Sequence, residues 1–224
     1  MLQFKDKVVL VTGAGKGSGR RLAEAFAMHG AKVAANDISP INVEQVVAGI
    51  IQQGGQARPF VEDIAKKVGV QALVNNVLEA WERIDILVNH ANVAPVMPVL
   101  EMDEWDWHRV LDVNLTGAFL LIQSVGRVMR IQGGGVIINL IPLAGHTQTG
   151  HAAYTASKLG LLGLTRLAAE ELTPYGIRVH AVGTGLTEAA QVENRAGETV
   201  ATVLSLCEPS NAARFITLKS STTI

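Results

Sequence analysis

The run Val8-Val9-Leu10-Val11 is apolar at every position and leads into a glycine cluster, Gly13, Gly15, Gly17 and Gly19. A strand without a polar face must be covered on both sides, which restricts the chain to a layered fold. The rest of the sequence keeps that pattern. Leu22, Ala23, Phe26 and Ala27 recur at helical spacing up to Gly30, which stands where a C-cap belongs. Lys32 to Ala35 reads as a second strand. Ser39-Pro40 opens a second helix, serine as cap and proline at the first helical position, and Gly54-Gly55 closes it. Gln56 to Val61 is a third strand, kept short by Pro59, which cannot donate to a ladder.

Residues 64 to 82 read as a helix with Gly69 as its weak point, and Ile84 to Val88 as a fourth strand. Asp103 caps a long helix that runs to Ile131 and breaks at Gly133-Gly134-Gly135. Val136 to Leu140, a helix from Ala152 to Leu172 and a strand from Ile177 to Val182 come next, with further helices expected near 188 to 206 and 209 to 218. Strands alternating with helices imply a parallel sheet. The expected fold is α/β: a single doubly wound parallel sheet of Rossmann type with helices on both faces, in one domain spanning 1–224.

Composition narrows the function. The 224 residues suffice for a large core, and 48% apolar against 17% charged residues excludes intrinsic disorder. With 19 basic and 20 acidic residues there is no basic balance for nucleic acid. No apolar run reaches the length of a membrane span, so the expectation is a soluble, cytoplasmic protein without membrane or nucleic-acid partners. The one cysteine, Cys207, reads as a small buried hydrophobe, and no metal site is expected.

Thr12 to Gly19, T-G-A-G-K-G-S-G, lies between the first strand and the first helix. Glycine there allows a tight turn and lets a pyrophosphate approach the free N–H groups at a helix N-terminus. Gly13, Lys16, Gly17, Ser18 and Gly19 are therefore candidate nucleotide contacts. Asp37 ends the second strand 18 residues beyond Gly19 (37 − 19), where a carboxylate accepts the adenosine ribose hydroxyls and repels a 2′-phosphate. This favours NAD over NADP, although Lys16 pulls the other way. Asp63 can reach the adenine amino group or, alternatively, cap a helix.

Tyr154-Thr155-Ala156-Ser157-Lys158 sets Tyr154 and Lys158 four apart, one turn on one helix face. Together with the glycine string this resembles the short-chain dehydrogenase/reductase family. The strings Asp63-Ile64, Ile84 to Asn89, Asp112 to Gly117 and Gly176 to Val179 match in the same order, and the resemblance runs from Asp6 to Leu186. It is strongest to ketoacyl-carrier reductases and small alcohol or polyol dehydrogenases. The resemblance implies hydride exchange between a nicotinamide and a carbonyl or alcohol substrate. Tyr154 would be general acid/base, with its pKa of about 10 lowered by the Lys158 ammonium. Lys158 would also bind the nicotinamide ribose. Asn114 would hold a proton-relay water through its backbone. Ile64, Asn89, Ala91 and Thr187 would join the cofactor site. A homodimer or homotetramer is implied, paired through the helix from Asp103 and the helix carrying Tyr154.

Three departures stand out. The family's catalytic serine falls at Ile141 (154 − 13) or, aligned on Ala144-Gly145, at Pro142, and neither side chain donates a hydrogen bond. His146, Thr147, Gln148, Thr149 and His151 on the adjoining loop read as ordinary loop residues, with a substitute donor as the alternative. Asn89-His90-Ala91-Asn92 stands where the family reads N-N-A-G; asparagine is the residue that best tolerates a left-handed backbone after glycine, so local adjustment rather than collapse is expected at Asn92, and His90 is expected to support the sheet end. After the sixth strand, Thr187 is the candidate for a displaced carboxamide ligand. The covering segment is short, and the sheet is expected to lack the family's last strand. The alternative to an enzyme is a nucleotide-binding scaffold or sensor of the same fold with little catalysis.

Overall fold

The computed structural model describes residues 3–141, 150–183, 192–208 and 216–217. Its strands are β1 (Val8–Thr12), β2 (Lys32–Asp37), β3 (Gln56–Val61), β4 (Ile86–Asn89), β5 (Gly135–Leu140), β6 (Ile177–Gly183) and β7 (Ile216–Thr217). They form one sheet in the order β3-β2-β1-β4-β5-β6-β7, with every pairing parallel. The helices are α1 (Gly17–Met28), α2 (Pro40–Gln52), α3 (Lys67–Trp81), α4 (Glu104–Leu111), α5 (Gly117–Gln132), α6 (Ala152–Leu172) and α7 (Val192–Leu206).

β1 is buried throughout, as its apolar run demands. Successive side chains alternate faces. Val9 and Val11 pack with Phe26 of α1, Val46 of α2 and Leu206 of α7. Val8 and Leu10 pack with Leu73 of α3, Leu121 of α5 and Ala168 of α6. The sheet is therefore doubly wound, and its parallel strands bring their carboxyl ends to one edge, where the candidate residues lie. Pro59 sits in β3, which pairs only with β2 among the described residues, the kind of edge position where proline is tolerated in a sheet.

Three expectations change. The sheet does not lack its last strand: the two-residue β7 pairs Val182 with Ile216 and Gly183 with Thr217. Ile216 and Thr217 are β-branched and favour strand over the helix expected near 209 to 218; the rest of that stretch lies outside the described residues. The helix expected from 64 begins at Lys67, because Asp63 and its neighbours form the turn that leads into it. The long helix capped by Asp103, whose Oδ1 accepts the Asp106 N–H at 2.7 Å, is interrupted by a π-helical turn, Asp112–Thr116, between α4 and α5. No helix among the described residues is long and apolar enough to cross a membrane. Cys207 is buried, and burial pushes its thiol up to about 12, as suits a core residue.

Asp85 locks the opposite ends of β1 and β4. Its carboxylate accepts the Val8 N–H at 2.9 Å, Arg83 Nε at 2.8 Å and Lys7 Nζ at 3.2 Å. Burial alone would raise its pKa, but these donors outweigh it and hold the carboxyl below the usual range. A lowered folded pKa contributes stability that is present above the unfolded value of about 3.9 and lost as pH falls through the folded one. Asp85→Asn should cost about 2 kcal/mol at pH 7. Urea denaturation at falling pH should bring the variant and the parent together below the ordinary carboxylate range.

Candidate functional site

The glycine string folds as the turn between β1 and α1. Lys16 is the N-cap of α1, in extended backbone and with no side-chain cap. Gly17, Ser18 and Gly19 thus form the first helical turn, whose N–H groups lack intrahelical partners. A Cβ at Gly19 would overlap the Gly13 carbonyl, so only glycine permits the loop to close on the helix. Asp37 buttresses the loop: its Oδ2 accepts the Gly15 N–H at 2.9 Å and its Oδ1 the Ser39 N–H at 3.0 Å. Each oxygen keeps lone pairs for another donor.

Gly13, Lys16, Asp37, Asp63, Ile64 and Ala91 line one cleft of about 300 Å³. Asp63 Oδ1 accepts the Ala65 N–H at 3.0 Å, so it caps a turn, whereas the N-cap of α3 is Lys66. Its Oδ2 faces Lys66 Nζ at 3.9 Å and Arg109 Nη1 at 4.0 Å. Gly69 lets this turn sit close, since a Cβ there would overlap the Asp63 carbonyl. Asn36 and Arg109 also line the cleft and were missed by sequence reasoning. Asn36 carried a signal, a polar residue ending an apolar strand; its Nδ2 donates to Phe60 O at 3.0 Å and Glu62 O at 3.1 Å. Arg109 carried none, because only the fold brings it to Asp63. A groove of about 270 Å³ at the opposite end of the strands, lined by Lys5, Asp6 and Glu24 among others, gathers none of the candidates.

Asn89 is placed differently from the cleft residues. It is buried at the end of β4, and its Nδ2 donates to Asn139 Oδ1 at 2.8 Å. Asn139 Nδ2 in turn donates to Thr165 Oγ1 at 2.8 Å, so this chain fastens the sheet to α6. Asn92 keeps a backbone outside the left-handed region, and its Nδ2 donates to His90 O at 3.2 Å.

Asn114 lies in the π turn. Its Oδ1 accepts the Val93 N–H at 2.8 Å, and its Nδ2 donates to Val93 O at 2.9 Å and Ser157 Oγ at 3.2 Å. Ser157 adjoins Lys158, so the π turn sets α6 against the loop after β4. Tyr154 and Lys158 are both buried on α6, with the ammonium 5.5 Å from the Tyr154 ring centroid. Lys158 Nζ donates to Leu140 O at 3.4 Å. Burial pushes Lys158 down to about 8 and Tyr154 up to about 12. In this arrangement burial therefore dominates the phenol, in contrast to the lowering that the one-turn spacing suggests. The His151 ring packs edge-on to Tyr154 with centroids 6.2 Å apart, and its Nδ1 is buried without a partner.

Ile141 comes directly after β5 and is 1% exposed, packed with Ala118, Leu161 and Ala181. Its side chain belongs to the core between the sheet, α5 and α6. Pro142, His146, Thr147, Gln148, Thr149 and Thr187 lie outside the described residues. Among the described residues no cluster of metal ligands occurs. Ile141→Ser should cost about 3 kcal/mol through the cavity and the buried hydroxyl, with no gain in catalytic rate. Urea melts and turnover assays on the same preparation check both.

The comparisons with known proteins agree with this geometry. The family model described as short chain dehydrogenase matches residues 7–200. An uncharacterized oxidoreductase of Thermotoga maritima is 42% identical over 84% of this chain and 74% of its own. D-threitol dehydrogenase of Mycolicibacterium smegmatis is 40% identical over 80% and 70%. A 3-oxoacyl-[acyl-carrier-protein] reductase of Synechocystis is 38% identical over 89% and 82%. Among solved structures, NAD+-bound xylitol dehydrogenase superposes with a TM-score of 0.80 at 35% identity, covering 86% of this chain and 75% of that one. A metagenomic short-chain oxidoreductase in complex with NADP gives 0.87 at 30% identity, covering 96% and 98%. The chain belongs to the short-chain dehydrogenase family, a family of oxidoreductases on a Rossmann-type nucleotide-binding fold.

Proposed function

We propose that the protein is an NAD-dependent oxidoreductase that interconverts a secondary alcohol and a ketone, with Tyr154 as general acid/base. The observation that carries this reading is the buried Tyr154 and Lys158 pair, one helical turn apart at the carboxyl edge of the sheet. The residues present fit a dinucleotide: a carboxylate with spare lone pairs at Asp37, and a side-chain-poor loop before the α1 N-terminus. Asp37 would take the ribose hydroxyls, and Gly17, Ser18 and Gly19 the pyrophosphate. Asp63 and Ile64 would bound the adenine, and Lys158 the nicotinamide ribose. Gly13, Lys16, Asn89, Ala91 and Thr187 complete the expected set. When bound, the nicotinamide supplies or accepts the hydride.

Tyr154 gives its hydroxyl proton to the carbonyl oxygen in reduction and takes one from the alcohol in oxidation. A phenol pushed up to about 12 is protonated at neutral pH, as a proton donor must be, but is a weaker acid than one near the working pH, so the positive charge of Lys158 beside it is needed to stabilise the phenolate as it forms. Asn114 fixes the spacing between α6 and the loop after β4. His151, edge-on to the Tyr154 ring and with Nδ1 unpartnered, is the candidate to assist at the substrate oxygen. The names of the threitol and xylitol dehydrogenases and of the oxoacyl reductase support a small carbonyl or alcohol substrate. Exposed Phe119 of α5 and Leu159 and Leu167 of α6 support a homodimer or homotetramer paired through those helices. A second reading, a nucleotide-binding scaffold, is favoured by Ile141, which puts a core residue where a hydroxyl donor is expected.

Tyr154→Phe should lower kcat by about 10²–10⁴-fold and leave NADH binding nearly intact. NADH oxidation with a panel of ketones and ketoacyl thioesters reads the first effect, and fluorescence titration the second. NADH binding without turnover of any panel member supports the scaffold instead. Asp37→Ser should narrow the preference for NADH over NADPH by about tenfold, the equivalent of about 1.4 kcal/mol, in parallel titrations of the two dinucleotides.

A further inference from the structure

His90 closes β4 onto the glycine loop. Its backbone N–H donates to Thr12 Oγ1 at 3.1 Å and that of Ala91 to the same oxygen at 3.2 Å, which pins the end of β4 to the end of β1. The imidazole then lies beneath the loop. Nε2 is 2.8 Å from Ser18 Oγ, and Nδ1 is buried without a partner. A Cβ at Gly19 would come within 2.7 Å of Nδ1 and one at Gly13 within 3.1 Å, so the ring fills the space that the missing side chains leave. Burial first, and then the charge of Lys158, push its pKa down to about 4, so the ring is neutral at physiological pH.

A neutral imidazole carries one N–H and one lone pair, and its hydrogen bond to Ser18 can run in either sense. Nδ1 makes no hydrogen bond in this arrangement, although the Thr12 and Gly13 backbone beside the ring favours its protonated form and tempers the downward shift. The group that the Ser18 hydroxyl meets then acts on this sense. An anion at the first turn of α1 favours the arrangement in which Nε2–H donates to Oγ and the hydroxyl proton turns toward the anion.

We propose that His90 is a positioning residue for dinucleotide binding, which acts through Ser18 to hold the first turn of α1 against β4 and to orient the donors that meet the pyrophosphate. The proposal rests on the nucleotide-binding reading above. Its distinctive consequence is that His90 and Ser18 act as one unit, and that the Nε2 end of the ring matters rather than the Nδ1 end. Glutamine places its amide near the reach of Nε2, whereas asparagine places its amide near that of Nδ1.

The test is the Kd for NADH, read by quenching of tryptophan fluorescence, in the full-length protein and in His90→Gln, His90→Asn, His90→Ala, Ser18→Ala and the His90→Ala/Ser18→Ala double variant. His90→Gln should stay close to the parent. His90→Asn, His90→Ala and Ser18→Ala should each raise Kd by about tenfold, and the double variant should be no worse than either single one. Independent losses that multiply in the double variant overturn the proposal, as does rescue by asparagine equal to that by glutamine. If His90→Ala does not fold, Ser18→Ala with parental affinity overturns it alone. A parent chain that binds no NADH overturns the nucleotide reading together with this one, whereas a parent that binds but gives an additive cycle overturns only this one.

Discussion

The side-chain amide of Asn114 ties together the segments on which the candidate chemistry depends. It accepts from Val93 N–H, donates to Val93 O and donates to Ser157, so one group spans the loop after β4, the π turn and α6. Each partner lost would leave a buried polar group unsatisfied, at a cost of about 1–3 kcal/mol. A π turn inserts an extra residue into a helix and re-aims the turns beyond it. Here it swings Asn114 inward without ending the helical path from Glu104 to Gln132. The separation between the loop after β4 and the Tyr154 and Lys158 pair is thereby set by hydrogen bonds rather than by the less directional packing around them.

Burial shapes the electrostatics of the same region in one direction. It pushes Tyr154 up, Lys158 down and His90 down, each toward its neutral form. At neutral pH Lys158 is the one of the three that keeps most of its charge, held by Leu140 O. A lone cation in a low-dielectric pocket acts strongly on any anion or developing oxyanion brought near it. Asp37 lies away from this charge, at the end of β2, and spends part of its own on Gly15 and Ser39 N–H groups.

Much of this is legible in the sequence. Apolar runs and turn signals mark β1 and β3, and the expected limits of α6, Ala152 and Leu172, are those observed, with the breaking Thr173-Pro174-Tyr175-Gly176 directly after it. Asp37 is legible because its chemistry is local to a strand end. Other features depend on contacts distant in sequence. The π turn has no periodic signature, since Asn114 is drawn inward by Val93 and Ser157. Ile141 reads as a lost donor, but it continues the alternation of Ile137 and Asn139 on the α5 and α6 face, so its side chain is claimed by the core. Arg109 meets Asp63 only across the cleft. β7 is masked by a helical pattern that its two β-branched residues override.

Pro59 has a consequence for how copies of the chain can meet. It stands mid-strand in β3, at one margin of the sheet, and cannot supply the N–H that an incoming strand would need. At the other margin the described part of β7 is Ile216 and Thr217. The β3 margin is thereby a poor template for backbone pairing with another molecule. Growth by sheet extension at that margin, and the fibrous aggregation that goes with it, is thereby disfavoured.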